Sequence, residues 1–342
     1  FKSLQQVLGV TYQPDGLLWD AHLRATVLRP VDNCLRDWMH TLVSGGIAGT
    51  EMSMVIQSIV DKGVTHEMLV KFAQSFHLPR ALGKVQASWF SDCRVSDDNL
   101  RSFASEQLCM LPILHRFLID VVQPLEIMAD EIRCFSLLVR IVSLLSLGPE
   151  QSVQHTAAIQ QSIVEHHILY SRVYPGQIRP KWHHLLHIPD NMRHAGRLLS
   201  CFVTERKHRV VKSACLNVFR HFEATVTADI VNRQVESFQD DDCRLFSRMH
   251  LIRPSAVTMG NCTLHTSSAA LLPCGEVHRG DIVAARQQML GKVVQFWSDI
   301  DGAIVVSIIV YRRDADCPSS FHVGEGSAFI HAENVIQSVM WC

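Results

Sequence analysis

Two histidines four positions apart open the chemistry of this chain. They lie in the run Lys181-Trp182-His183-His184-Leu185-Leu186-His187-Ile188-Pro189. On a helix, His183 and His187 fall one turn apart on the same face, a spacing that suits a divalent metal, with Zn²⁺ the natural ion for imidazole ligands. No Glu completes an HExxH arrangement and no third ligand lies near in sequence. Packing, hydrogen bonding behind a metal ligand, and phosphate contact therefore stay open for the pair.

Glu205 is the second feature. It follows Thr204, a residue type that caps helices, and is followed by Arg206, Lys207, His208 and Arg209. A carboxylate among cations stays ionised at neutral pH. It can ligate Mg²⁺, or it can complement the positive end of the helix.

Charge is the third. Between residues 179 and 212 stand Arg179, Lys181, Arg193, Arg197, Arg206, Lys207, Arg209 and Lys212, against Asp190 and Glu205 alone. The whole chain carries a formal net charge of -1, so the remainder is acidic. A basic island in an acidic chain fits contact with a phosphate backbone, and it equally fits a solvated helix face. Lys181, Arg193, Arg197, Arg206, Lys207, Arg209 and Lys212 are the candidate DNA contacts. Trp182 can stack on a base or anchor a half-buried helix.

These residues need elements to position them. The chain has 342 residues, 47% of them hydrophobic and 19% charged, which supports two or three packed domains and excludes wholesale disorder. Lys and Arg balance Asp and Glu, which excludes a uniformly basic nucleic-acid coat. Eleven cysteines with no CxxC read as reduced thiols, not as a disulfide framework or zinc ribbon. The longest apolar run, from Cys134 to Gly148, is broken by Arg140, so no membrane span is expected. The chain opens on Phe1 with no signal peptide, which suggests a piece of a longer protein.

The pattern is mainly α with a small β domain. A short strand is expected within residues 17–31. Helices are expected over 50–62 and 66–77. Three long amphipathic helices follow, from Asp97-Asp98 towards Pro124, from Leu125 to Leu147, and from Pro149 to Tyr174. Lys181 to Ala195 is helical with an interruption at Pro189, and Gly196 stops it. After Asp240-Asp241-Asp242 the pattern weakens. The last 65 residues or so alternate in the strand period, and Asp301-Gly302 marks a hairpin. A small barrel of the SH3-like kind is expected there, with Trp297, Tyr311, Phe329 and Trp341 as groove or core aromatics.

Taken together, the segment Lys181-x-His183-x3-His187-Ile188-Pro189, then Gly196, then Phe202-x2-Glu205-Arg206-x5-Val211-Lys212 resembles the C-terminal catalytic part of CACTA-type DNA transposases. Upstream, Asp37-Trp38-Met39-His40 resembles that family's Asp-x-Met-His segment. The likeness covers roughly residues 1–240 and implies an RNase H-like (α/β) catalytic core interrupted by a helical insertion. Residues 1–48 would be a partial core segment, 49–175 the insertion bundle, 176–240 the basic and Glu-bearing helices, 241–275 a linker and 276–342 the barrel.

The resemblance further implies an Asp-Asp-Glu triad with Asp37 as its second Asp, at the end of a strand, and Glu205 as its Glu. These two would hold Mg²⁺ for cleavage and strand transfer on double-stranded DNA, with His40, His183 and His187 behind them or on a metal. The first Asp is expected upstream of Phe1, because the 17 residues from Asp20 to Asp37 are too few for the intervening strands. The chain by itself is then expected to lack strand transfer. A nuclear location and a homo-oligomer would follow from such a role, with no membrane partner. The alternative is a transposon-derived DNA- or chromatin-binding protein without the chemistry.

Overall fold

The structure is a computed structural model. It describes residues 20–26, 35–91, 95, 100–201, 227–228, 231, 249–259, 262–272, 274–286, 289–298, 303–313 and 321–339. The chain divides into two compact units, one built from residues 1–73 and 87–209 and the other from 74–86 and 210–342. The first is helical and the second is antiparallel β.

Helix α1, Ala21–Thr26, lies where a strand was expected. Asp20 explains the difference: its Oδ1 accepts the Leu23 N–H at 2.9 Å, an N-terminal cap that commits the segment to helix. Asp37 is followed by a π-helical turn, Met39–Val43, and not preceded by a described strand. Helix α2, Ile47–Asp61, starts immediately after Gly45-Gly46. Gly45 takes a left-handed φ of 57°. Gly46 has no room for a side chain: a Cβ there would meet the Leu42 carbonyl carbon at 2.4 Å and the Thr41 oxygen at 2.5 Å. The chain thus turns sharply from the π-turn into α2, and only glycine permits it.

Helix α3, His66–Gln74, closes this part of the unit. Helix α4, Ala104–Phe117, runs on through a π-turn, Leu118–Val122, and a 3₁₀ turn, Gln123–Leu125. Asp97 and Asp98, expected to cap it, lie outside the described residues. At its start Glu106 reaches back to the Phe103 N–H at 3.0 Å and also accepts from Trp89 Nε1 at 3.2 Å. The run Ala104–Leu125 has 22 residues and is long and apolar enough to cross a membrane by length and composition, contrary to the expectation from the sequence. Its Met110, Leu111, Ile113, Leu114, Phe117 and Leu118 are buried in the helical unit.

Helix α5, Ala129–Leu145, buries Ile132, Phe135, Leu138, Ile141, Val142 and Leu145, the i, i+3, i+4 stripe of an amphipathic helix. Each such side chain contributes about 1.5–3 kcal/mol on burial. The expected third helix is split into α6, Gln151–Gln154, and α7, Thr156–Val173. Thr156 causes the break, since its Oγ1 donates back to the Val153 carbonyl at 2.6 Å and competes with the helical ladder. α5 and α7 pack against each other. Helices α8, Pro180–Leu186, and α9, Ile188–Ala195, follow, with Pro180 and Pro189 in their first turns. Gly196, at φ 64°, ends α9 as expected.

The β unit has strands β1, His250–Ile252; β2, Ser255–Met259; β3, Cys262–Ser267; β4, Ala269–Leu272; β5, Gly275–His278; β6, Ile282–Ala285; β7, Met289–Ser298; β8, Ile304–Arg313; β9, Phe321–His331; and β10, Val335–Val339. β1, β4 and β5 form one sheet. The other centres on β7, which pairs with β6 near its start, with β3 near its end, and with β8 along its length; β10, β2 and β9 lie outside these. All pairs are antiparallel, and among the described residues the pairing does not close into a barrel. β7 and β8 flank the expected hairpin, whose Asp301-Gly302 tip lies outside the described residues.

The segment 241–275, expected as a linker, carries β1 to β4. Its strands are short and rich in Ser, Thr and Ala, which weakens the alternation a sequence reading relies on. The core of this unit is Val277, Val283, Val293, Phe296, Val306, Ile308 and neighbours. Phe329 is exposed.

Candidate functional site

The helical unit brings two sequence motifs together across more than 140 residues. Asp37 precedes the π-turn, and its Oδ2 accepts the His40 N–H at 2.9 Å and lies 2.6 Å from His40 Nδ1. Its Oδ1 accepts the backbone N–H of Cys201 at 2.9 Å. Thr41 Oγ1 donates to the Asp37 carbonyl at 2.8 Å. The Asp37 side chain is 15% exposed and that of His40 46%. The carboxylate is thus sheltered, with one face turned to an accessible imidazole.

Lys181, at the start of α8, ties the other motif in. Its Nζ donates to the carbonyls of His40 at 2.8 Å, Ser44 at 3.2 Å and Gly45 at 2.7 Å. An ammonium has three protons, and all three are used. Burial holds its pKa below the ordinary lysine value. Lys181, expected to touch DNA, here clamps the end of the π-turn.

His183 and His187 converge as the spacing predicted. Their Nε2 atoms are 3.0 Å apart and their rings stand nearly perpendicular, with centroids 4.7 Å apart. A tetrahedral ion at about 2.1 Å from both nitrogens needs them to part to about 3.4 Å. Burial, then His183 and Arg36, hold the His187 imidazole below its usual pKa, and burial, then Arg36, does the same for His184. Arg36 adjoins Asp37 in sequence, so the histidine pair lies in the electrostatic reach of the Asp37 segment.

The donors beside Asp37 are an imidazole and a thiol. One atom each from Asp37, His40 and Cys201 lie within 4.8 Å of one another. That mixture of O, N and S suits a borderline ion such as Zn²⁺; Mg²⁺ takes oxygen ligands and keeps its waters. The magnesium expected on Asp37 and Glu205 needs a carboxylate that lies outside the described residues.

The other expected residues are dispersed in fate. Arg193 is ion-paired with Asp190 at 2.6 Å and also bonds Gln160. Arg197 is exposed. Trp182 is buried against the Tyr170 ring, 5.0 Å between centroids, and is no base-stacking platform. Glu205, Arg206, Lys207, Arg209 and Lys212 lie outside the described residues, Glu205 four positions beyond Cys201.

No protein-family model matches this chain, and no curated protein matches it.

Two groups were not foreseen. Cys201 carries no motif, and only the fold places it on Asp37. In the β unit, a cavity of about 530 Å³ is lined by His77, Arg80, Lys84, Gly280, Asp281 and Lys292 among others. Asp281 is buried there, its two carboxylate oxygens taken by the N–H groups of Arg80 at 3.1 Å and His278 at 2.8 Å. The cavity therefore presents cations whose one acidic neighbour is already engaged. No local pattern in the sequence joins residues 77–84 to 280–292.

Proposed function

We propose that this chain is a piece of the DNA-handling core of a CACTA-type transposase, acting on double-stranded DNA. The observation that carries the reading is the bond from Cys201 N–H to Asp37. It joins the Asp37-Trp38-Met39-His40 segment to the basic segment, four positions before Glu205. The Lys181 clamp joins the same two segments a second time.

In this reading Glu205 is a metal-binding carboxylate of the phosphodiester chemistry, and Arg197, Arg206, Lys207, Arg209 and Lys212 hold the DNA backbone. Asp37 orients the corner: it fixes the His40 ring and the turn at Cys201, and with His40 it presents mixed donors to a transition metal. His183 and His187 stand beside that corner. An RNase H-like arrangement of the core and an SH3-like kinship of the β unit belong to the same proposal. The cationic cavity of the β unit supplies a second surface for phosphate.

The test is duplex binding by fluorescence anisotropy over a salt series. Affinity is expected to fall steeply with salt, and Arg197→Ala and Arg206→Ala should each reduce the slope by about one. Binding that ignores salt, or no binding, overturns the reading. Metal-dependent nicking lost in Glu205→Gln would separate a catalytic chain from a purely DNA-binding one.

A further inference from the structure

Three helices of the first unit each send one metal-ligating side chain to a single point in its interior. Glu51 comes from α2, Cys134 from α5 and His166 from α7. All three are wholly buried. His166 Nε2 lies 2.7 Å from Glu51 Oε2, and one donor atom from each residue lies within 4.8 Å of the others. None of them takes part in the Asp37 corner.

Within this cluster the Cys134 thiol hydrogen-bonds Glu51 and His166 bonds the same carboxylate, yet buried polar atoms remain without partners. Glu51 Oε1 and His166 Nδ1 are buried with no hydrogen-bond partner, and so are the Tyr174 hydroxyl and Trp182 Nε1. The Tyr170 ring lies 5.7 Å from that of His166 and 5.0 Å from those of Tyr174 and Trp182, centroid to centroid. A buried carboxylate beside a neutral imidazole and a thiol leaves an uncompensated negative charge in the core, which is costly. Charging the imidazole, or protonating Glu51 so that the ring proton sits on Nδ1, leaves an Nδ1 proton with no acceptor.

We propose that Glu51, Cys134 and His166 form a structural metal site for a borderline divalent ion, Zn²⁺ by its donor chemistry. A carboxylate, a thiolate and an imidazole are its ligand types. Binding releases the Cys134 thiol proton to solvent, so two anions and a neutral ring meet a dication and the site becomes neutral. The 2.7 Å separation of nitrogen and oxygen opens to about 3.3 Å when an ion at about 2.0–2.1 Å sits between them in tetrahedral geometry. The fourth position falls to a water. The ion pins α2, α5 and α7 together. This site is independent of the transposase reading.

The test is metal content and Co²⁺ spectroscopy on the full chain. Cys201→Ser first removes the other thiol that, among the described residues, lies beside metal-capable side chains. Zinc at about one equivalent or more, and a thiolate-to-Co²⁺ charge-transfer band that persists in Cys201→Ser and disappears in Cys134→Ser, are expected. Absence of zinc and of the band in the unaltered chain overturns the proposal, as does a band that survives Cys134→Ser or is abolished by Cys201→Ser. Should Cys134→Ser not fold, X-ray absorption on the zinc-loaded Cys201→Ser chain decides. One sulfur among N/O ligands supports the site, and a shell without sulfur refutes it.

Discussion

The backbone N–H of Cys201 donates to Oδ1 of Asp37 at 2.9 Å, 164 residues away in the chain. The other oxygen of the same carboxylate holds His40 by both its backbone and its ring. One side chain thus satisfies three donors from two distant segments. A charged acceptor makes such bonds stronger than neutral ones.

Asp37→Ala leaves those donors without their acceptor. The expected loss of stability is about 2–4 kcal/mol, since hydrogen bonds to charged groups are worth roughly 1.5–3 kcal/mol each and the site is partly solvated. Denaturant melts would show a lower midpoint at unchanged slope. An unchanged midpoint would mean that Asp37 has no positioning role.

Lys181→Met strands the carbonyls of His40, Ser44 and Gly45. A destabilisation of about 2–3 kcal/mol is expected. Lys181→Arg should not restore it, because a planar guanidinium cannot copy three converging ammonium bonds. Duplex affinity of the folded fraction at fixed salt should stay the same. A drop in that affinity, without a drop in stability, would make Lys181 a phosphate contact instead.

Gly46→Ala forces a methyl carbon to within 2.4–2.6 Å of the backbone of Thr41 and Leu42. Backbone cannot yield as a flexible side chain does, so a loss of at least about 1–3 kcal/mol is expected. Thermal melting of the variant reads it directly, and a variant as stable as the parent would show that the turn has another conformation.

His115 gives the fold a pH dependence of known sign. Burial, then Arg116, hold its pKa below the ordinary histidine value. Ser136 spends its one hydroxyl proton on the Ile132 carbonyl at 2.7 Å, so His115 Nε2–H donates to Ser136 Oγ at 2.9 Å, and the lowered pKa leaves the ring neutral at pH 7. The unfolded chain therefore binds more protons near this group. The stability it contributes is present above about pH 6.5, the unfolded value, and is lost as pH falls towards the folded one. Urea midpoints should decline from pH 7.5 to 5.5, and His115→Gln should flatten part of that decline. A His115→Gln profile parallel to the parent's would remove His115 as the cause.

Much of the helical unit was written in local pattern. The apolar stripe of α5, the prolines that open α8 and α9, and Gly196 at the end of α9 act through neighbours within a few residues, so they are legible in the sequence. The His183/His187 pair is of the same kind, because helical pitch alone brings the two rings together. Structure and local pattern part where a side chain competes with the backbone. Asp20 turned an expected strand into α1, and Thr156 broke an expected single helix.

Tertiary structure alone decided the rest. Nothing local marks Cys201 as a partner of Asp37, Lys181 as a clamp, or Trp182 as core. Nor does spacing join Glu51, Cys134 and His166, each on a different helix. A helix dictates which of its faces is apolar, but not which polar residue on that face will meet one from another helix. That choice follows from how the helices pack, where most buried donors and acceptors must find partners.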